Sequence, residues 1–343
     1  MIKMSEQKVF DYKGKDIIEY TLSNGDVDIK VLNLGGAITG IFTKDKNGKK
    51  ENIVVAYEDL ETYIESPSYY GGIIGRTAGR INKGEVTING EKITFNKNYE
   101  VCQCHGGNIG FNKKVWDAKT EIGKEKVSLI LSYKSVDGEE GYPGNLDVNV
   151  IYSLNKENEF IIEFKGISDK DTLVNMTNHS YFNLSGDYKE SVLDHKLMVT
   201  SNEILAIDNN SVPTGEVINT FNTAFDFREE KRIGKDIDNN EEQIKLGSGY
   251  DHTFLFNDKR NIVYKDDKSG REMQIETNNE AVVIYSMNFI DGKKVYGNKD
   301  IERRYGICFE CQNSPIGYED AFKESSILRA GEEYNKYIKY KFI

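Results

Sequence analysis

Apolar residues recur at every second position in short runs broken by Asn, Gly and Asp, the pattern of half-buried strands joined by tight turns. Val86-Thr87-Ile88, then Asn89-Gly90, then Glu91 to Phe95 predicts a hairpin on a type I′ turn. Ser23-Asn24-Gly25-Asp26 predicts a second such turn, leading into Val27 to Val31. Further strands are predicted at 127–133, 146–152, 160–164, 173–177, 196–200, 272–277, 281–285, 306–312 and 333–342. Helical signals are few, with short segments at 58–64 and 228–233. Neither a long helix-strand alternation nor a repeat period is present, so the pattern predicts an all-β chain of stacked antiparallel sheets, a large antiparallel β-sandwich. Pattern alone does not separate one large sandwich from two smaller ones.

Composition narrows this. The chain has 343 residues, only 4 prolines and no low-complexity run to mark a linker, so residues 1–343 are expected to form a single domain. A formal net charge of −11 argues against nucleic acid, which needs a concentrated basic surface, and fits a neutral small-molecule partner. Met1 to Phe10 lacks the apolar core of a secretory signal and no apolar stretch is long enough to span a bilayer, so no membrane partner and a cytoplasmic location are expected. Cys102, Cys104, Cys308 and Cys311 fall in C-x-C and C-x-x-C pairs that invite a zinc reading. Strand parity opposes it, because Cys308 and Cys311 would face opposite sides of an extended segment, and buried reduced thiols are expected instead.

Asn178-His179-Ser180-Tyr181-Phe182-Asn183-Leu184 carries one of only four histidines. Read as extended, His179, Tyr181 and Asn183 share one face while Phe182 and Leu184 anchor the other, a rigid mount for a proton donor. The plainer alternative is a histidine beside the core, satisfied by a carbonyl. In Tyr305 to Gln312, parity puts Tyr305, Ile307, Phe309 and Cys311 on one face and Gly306, Cys308, Glu310 and Gln312 on the other. Glu310 is then either an exposed strand carboxylate or a base at the floor of a cleft, where partial desolvation would raise its pKa and nearby donors would keep it ionised.

Six motifs in order resemble the aldose 1-epimerases (galactose mutarotases): Tyr70 to Ile81, His105-Gly106-Gly107, Gly141-Tyr142-Pro143-Gly144, Asn178 to Leu184, Tyr250-Asp251-His252 and Glu310-Cys311-Gln312. The resemblance covers nearly the whole chain and implies a β-supersandwich that binds sugar in a cleft on one sheet. It implies interconversion of the anomers of free aldohexoses such as galactose or glucose, with no cofactor. That reaction removes a proton from the C1 hydroxyl and adds one to the ring oxygen, so that the ring opens, the C1–C2 bond rotates and the ring recloses. Glu310 is assigned as the base and protonated His179 as the acid, as the resemblance also implies. In the family the histidine matching His105 hydrogen-bonds near the ring oxygen, and the aspartate matching Asp251 binds the sugar. Arg80 offers a planar fork of donors to sugar hydroxyls, and Tyr181 a stacking surface. Trp116 is a weaker stacking candidate. The glycines around Arg80 lack the Gly-Lys-Ser/Thr ending of a phosphate loop.

Two positions depart from the family: Gly79, where many members carry Asn, and Val283, where some carry Gln. Both concern sugar binding rather than proton transfer. Three other functions fit some of these residues. A hexose 6-phosphate 1-epimerase would need extra cations in the cleft. A non-catalytic sugar sensor would have no need of an acid and base across one bond. A glycoside hydrolase would use Glu310 with Asp251 as its two carboxylates.

Overall fold

The computed structural model describes residues 1–343. Two large antiparallel sheets face each other. The nine-stranded sheet runs, in spatial order, Asp117–Ile122, Lys126–Ser135, Leu146–Asn155, Glu159–Ser168, Glu333–Phe342, Arg271–Thr277, Asn261–Asp266, Lys196–Val199 and Lys231–Arg232. The six-stranded sheet runs Tyr181–Phe182, Ile307–Gln312, Ala281–Tyr285, Asp251–Phe256, Ser201–Ile207 and Pro213–Asn219. A five-stranded sheet formed by the first 52 residues packs beside them.

The sandwich follows from the alternation of side chains. Ile307, Phe309 and Cys311, with Val282, Ile284 and Phe254 from neighbouring strands, turn inward and meet Tyr264, Ile275 and Tyr340 of the nine-stranded sheet in a core of 53 buried residues. The same alternation turns Cys308, Glu310, Val283, Tyr285, Asp251 and Thr253 to the other face. No helix is long and apolar enough to cross a membrane.

The Asn89-Gly90 hairpin forms as expected, with φ of 52° and 81° at its two central residues. The turn after Ser23 differs. Asn24 keeps negative φ, its side-chain oxygen accepts from the amides of Asp26 and Val27, and the next strand begins only at Asp28. The predicted strand at 173–177 is split into Thr172–Leu173 and Thr177–Asn178, which pair with different partners. The expected helix at 58–64 is a 3₁₀ turn over Leu60–Ile64 capped by Asp59. The expected helix at 228–233 is a short edge strand, Lys231–Arg232, pairing with Lys196–Val199. One α-helix, Glu242–Leu246, carries too weak a pattern to be read from sequence.

Candidate active site

The polar face of the six-stranded sheet is the floor of a cleft of about 440 Å³. Register builds that floor in rows. Tyr181 pairs with Cys308, Cys308 with Tyr285 and Tyr285 with Asp251; in the next row Glu310 pairs with Val283 and Val283 with Thr253. Glu310 therefore stands on the second strand of the sheet with apolar packing beneath it, and it is 3% exposed.

His179 arrives from a break in the chain rather than from a continuous strand. Asn178 pairs with Ile73 and Tyr181 with Cys308, so the chain crosses from one ladder to another at His179-Ser180. The crossing is pinned by the His179 amide donating to Gly72 O and the Gly71 amide donating to His179 O. Gly71 has φ of 67°, and a Cβ there would lie 2.2 Å from the Ile38 carbonyl oxygen, so the close approach requires glycine. This brings His179 Nε2 to 3.5 Å from Glu310 Oε1.

His105 reaches the cleft on a loop held from two sides. The Asn98 side chain binds the Cys104 amide and the carbonyls of Cys104 and Gly107, and the Glu140 carboxylate accepts from the amides of Asn108 and Ile109. The Gly141-Tyr142-Pro143-Gly144 motif thus serves as scaffold: Tyr142 donates to Gln103, and the carbonyls of Pro143 and Gly144 accept from the buried Arg76 guanidinium. His105 Nδ1 lies 4.0 Å from Glu310 Oε2.

Arg80 and Asp251 form the next wall, 3.6 Å apart, with the Arg80 guanidinium 5.1 Å from the centre of the Tyr99 ring. Tyr181 lies on the floor, its ring 5.1 Å from that of His179 and edge-on to Tyr70 and Tyr285. All six candidates from the sequence, Glu310, His179, His105, Arg80, Asp251 and Tyr181, line this one cleft. Trp116 does not, being packed in the core against Phe111 and Tyr133.

Tyr69 is a cleft residue that sequence reasoning missed. Its ring centre is 4.8 Å from His105 and 5.7 Å from His179, and its backbone is left-handed at φ 58°. Its loop is tied down by Ser68, whose hydroxyl donates to Asp291 and whose amide donates to the Tyr57 hydroxyl. Gly79 also has a reason to be glycine. With φ of 70°, a Cβ there would lie 2.7 Å from the Pro315 ring, so an asparagine does not fit unless Pro315 moves.

Burial pushes the Glu310 carboxyl up to about 8, with the Asp251 charge adding to the rise and Arg80 opposing it. Burial pushes His179 down to about 4, with Arg80 acting in the same direction. His105 is driven well below its usual value by burial and then by His179 and Arg80. The donors expected to keep Glu310 ionised are therefore not supplied by the protein, and Glu310 Oε2 is buried without a hydrogen-bond partner. Arg80 Nε and Gln312 Oε1 are orphaned in the same region, three buried polar atoms awaiting partners.

The imidazoles differ in what faces Nδ1. The Gly79 amide donates to His105 Nδ1 at 3.3 Å, and because an amide N–H only donates, the His105 proton sits on Nε2. His179 Nδ1 instead faces the Cys308 thiol, with Sγ at 3.6 Å. His105, His179 and Glu310 offer three donor atoms within 4.8 Å, but the lone pair of His105 Nδ1 is engaged and burial favours the protonated carboxyl, so the set suits a metal ion poorly. The four cysteines are free and buried, and Cys308 and Cys311 lie on opposite faces of their strand.

The chain matches the family model described as Aldose 1-epimerase over residues 19–341. It is 32% identical over 334 residues to galactose mutarotase of Mus musculus, covering 96% of this chain and 95% of that protein. It is 33% identical over 289 residues to aldose 1-epimerase of Haemophilus influenzae, covering 82% of this chain and 83% of the other. Among solved structures, galactose 1-epimerase from Lactobacillus acidophilus superposes with a TM-score of 0.91 at 30% identity, over 100% of this chain and 99% of that one.

Proposed function

The chain belongs to the aldose 1-epimerase family, and from that premise we propose that Glu310 and His179 are the base and acid that interconvert the anomers of a free aldohexose such as galactose or glucose. We read residues 1–343 as one mutarotase-like β-sandwich domain, a reading supported by the shared core of the two large sheets.

The observation that carries the site assignment is the 3.5 Å separation of Glu310 Oε1 and His179 Nε2 on the cleft floor. The C1 hydroxyl oxygen and the ring oxygen are both bonded to C1, so the two groups that serve them must be neighbours. Glu310 takes the C1 hydroxyl proton as His179 protonates the ring oxygen, and the C1 to ring-oxygen bond breaks. After rotation about C1–C2 the groups exchange roles and the ring recloses. His105, its proton on Nε2, donates to the ring-oxygen side, Arg80 and Asp251 bind neighbouring hydroxyls, and Tyr181 supports the sugar's apolar face.

The proton count is consistent with this chemistry. Between about 4 and about 8 the Glu310–His179 pair holds one proton, which burial places on the carboxyl in the free cleft. Passing that proton to the imidazole yields the working base and acid without exchange with solvent.

A sugar phosphate fits less well. Arg80 is the only lysine or arginine lining the cleft and is already paired with Asp251, while Asp251 and Asp291 would oppose a phosphate dianion.

Polarimetry on freshly dissolved α-galactose and α-glucose tests the assignment. We expect Glu310→Gln and His179→Asn each to slow the catalysed decay of rotation by about a hundredfold or more while the protein stays folded. A folded Glu310→Gln protein with full activity would remove the base assignment. Sugar binding by the wild type without accelerated decay would favour a sensor, and faster turnover of glucose 6-phosphate would favour the phosphate reading.

A further inference from the structure

We infer that His252 and Gln243 are positioning residues for Asp251, two side chains that fill a missing rung between neighbouring strands and hold the aspartate at the wall of the cleft. The inference rests on the reading of Asp251 as a ligand of sugar hydroxyls.

Ser201–Ile207 pairs with Asp251–Phe256 only as far as Ile204 and Phe254. Continued along both strands, that register would set Ile207 opposite Asp251. Instead the Ile207 amide donates to Gln243 Oε1 at 2.9 Å, and Gln243 Nε2 donates back to the Ile207 carbonyl at 3.3 Å. The Asp251 amide donates to His252 Nδ1 at 3.2 Å, and His252 Nε2 lies 3.2 Å from Gln243 Oε1. The two side chains thus stand where the ladder would continue, and the strands on either side of them reach the cleft through Ile207 and Asp251.

The atoms in this chain leave one arrangement of protons. A backbone amide only donates and a carbonyl only accepts, so Ile207 fixes which end of the Gln243 amide is oxygen. That oxygen only accepts, so it requires the His252 proton on Nε2. Nδ1 is then bare and takes the Asp251 amide. Every donor meets an acceptor, and reversing any one group sets two donors or two acceptors face to face. His252 is 1% exposed and packs edge-on to Phe225 at 4.6 Å between ring centres. Burial drives it down to about 3, so it stays neutral and keeps this tautomer wherever the Glu310–His179 pair works. From the other side Tyr250 is fixed by Ser286, whose hydroxyl accepts from its amide, and by Asn288, which donates to its carbonyl. The peptide that carries Asp251 is therefore held at both ends, which keeps the carboxylate beside Arg80, 3.6 Å away. A ligand of hydroxyls that do not react serves binding more than proton transfer, so its displacement registers in KM.

The test measures polarimetric kcat and KM for galactose in His252→Leu, His252→Asn, Gln243→Met and Asp251→Ala. Thermal unfolding confirms the fold, and ¹⁵N NMR reads the His252 tautomer. Leucine and asparagine share one branched shape, but only asparagine places an acceptor where Nδ1 stood. We expect His252→Leu to raise KM about tenfold with kcat within about threefold, because a buried amide loses its acceptor, and His252→Asn to recover most of that loss. Gln243→Met keeps the side-chain length without the amide and should raise KM about threefold to tenfold. Gln243 is half-buried on the helix Glu242–Leu246, so this variant carries the test even where His252→Leu does not fold. In the wild type the His252 resonances, identified by their loss in His252→Asn, should show a bare Nδ1 and a protonated Nε2 at neutral pH.

A proton on Nδ1 of wild-type His252 overturns the inference, as does a wild-type KM in either His252→Leu or Gln243→Met. Equal KM in folded His252→Leu and His252→Asn overturns it too, since packing rather than the acceptor would then set Asp251. Unchanged KM in Asp251→Ala defeats the reading of Asp251 as a sugar ligand, whereas a raised KM there beside an unaffected His252→Leu defeats only the role of the two side chains behind it.

Discussion

Glu310 sits where a carboxylate is costly, and the cost has a measurable sign. Its folded pKa of about 8 lies above the unfolded value, so between about 4.5 and 8 the folded state binds a proton that the unfolded state releases. Stability from this group is complete at low pH and is lost as pH rises through that window. Glu310→Gln should therefore raise the melting temperature little near pH 4.5 and most at pH 8, by an amount worth on the order of 2–4 kcal/mol. Thermal melts across that range check it. The same two shifts set the rate profile. With Glu310 and His179 as the proposed base and acid, one proton on the pair is the active count, so kcat/KM should be flat between about 4 and about 8 and fall on either side. A pH–rate profile of mutarotation measures this. At this scale much of the candidate cleft was legible, because parity along 305–312 turns Glu310 away from the core without reference to any other strand. Tyr69 was not legible, since its left-handed backbone and its place beside two histidines come from contacts distant in sequence.

Short elements aim the side chains of the cleft, and glycine permits their closest approaches. Gly106, at φ 84°, packs so tightly that a Cβ would lie 1.8 Å from the Gly75 carbonyl oxygen. Gly106→Ala must displace the His105 loop or the Gly75 segment. We expect it to lower stability by at least about 1–3 kcal/mol and kcat more than KM, since it moves His105, the proposed donor to the ring-oxygen side; melting curves and steady-state kinetics give both values. Strand existence was readable from alternation and from β-branched apolar runs: Ala281–Tyr285 and Glu333–Phe342 have the predicted limits. The segment at 173–177 was misread because its apolar run continues across a switch of pairing partner, and local pattern carries no record of partners.

The whole molecule places a well-packed interior directly under the cleft floor. Phe309 is 1% exposed, lies between Cys308 and Glu310, and packs edge-on to Tyr264 at 5.4 Å between ring centres. Phe309→Ala should cost about 3–5 kcal/mol and lower activity well below its melting temperature, which chemical denaturation and polarimetry at 20 °C would show. Strand order was the part of the fold furthest from sequence reading, because the central pairings join segments far apart in the chain. Glu159–Ser168 pairs with Glu333–Phe342, which pairs in turn with Arg271–Thr277. That central strand has a consequence for how the protein is made. The ribosome releases it after both halves of the sheet it joins, so each nascent half waits with an unpaired inner border. Synthesis thus passes through an interval in which chaperones have two sticky borders to shield, and a translation stop just before Glu333 would leave that interval permanent.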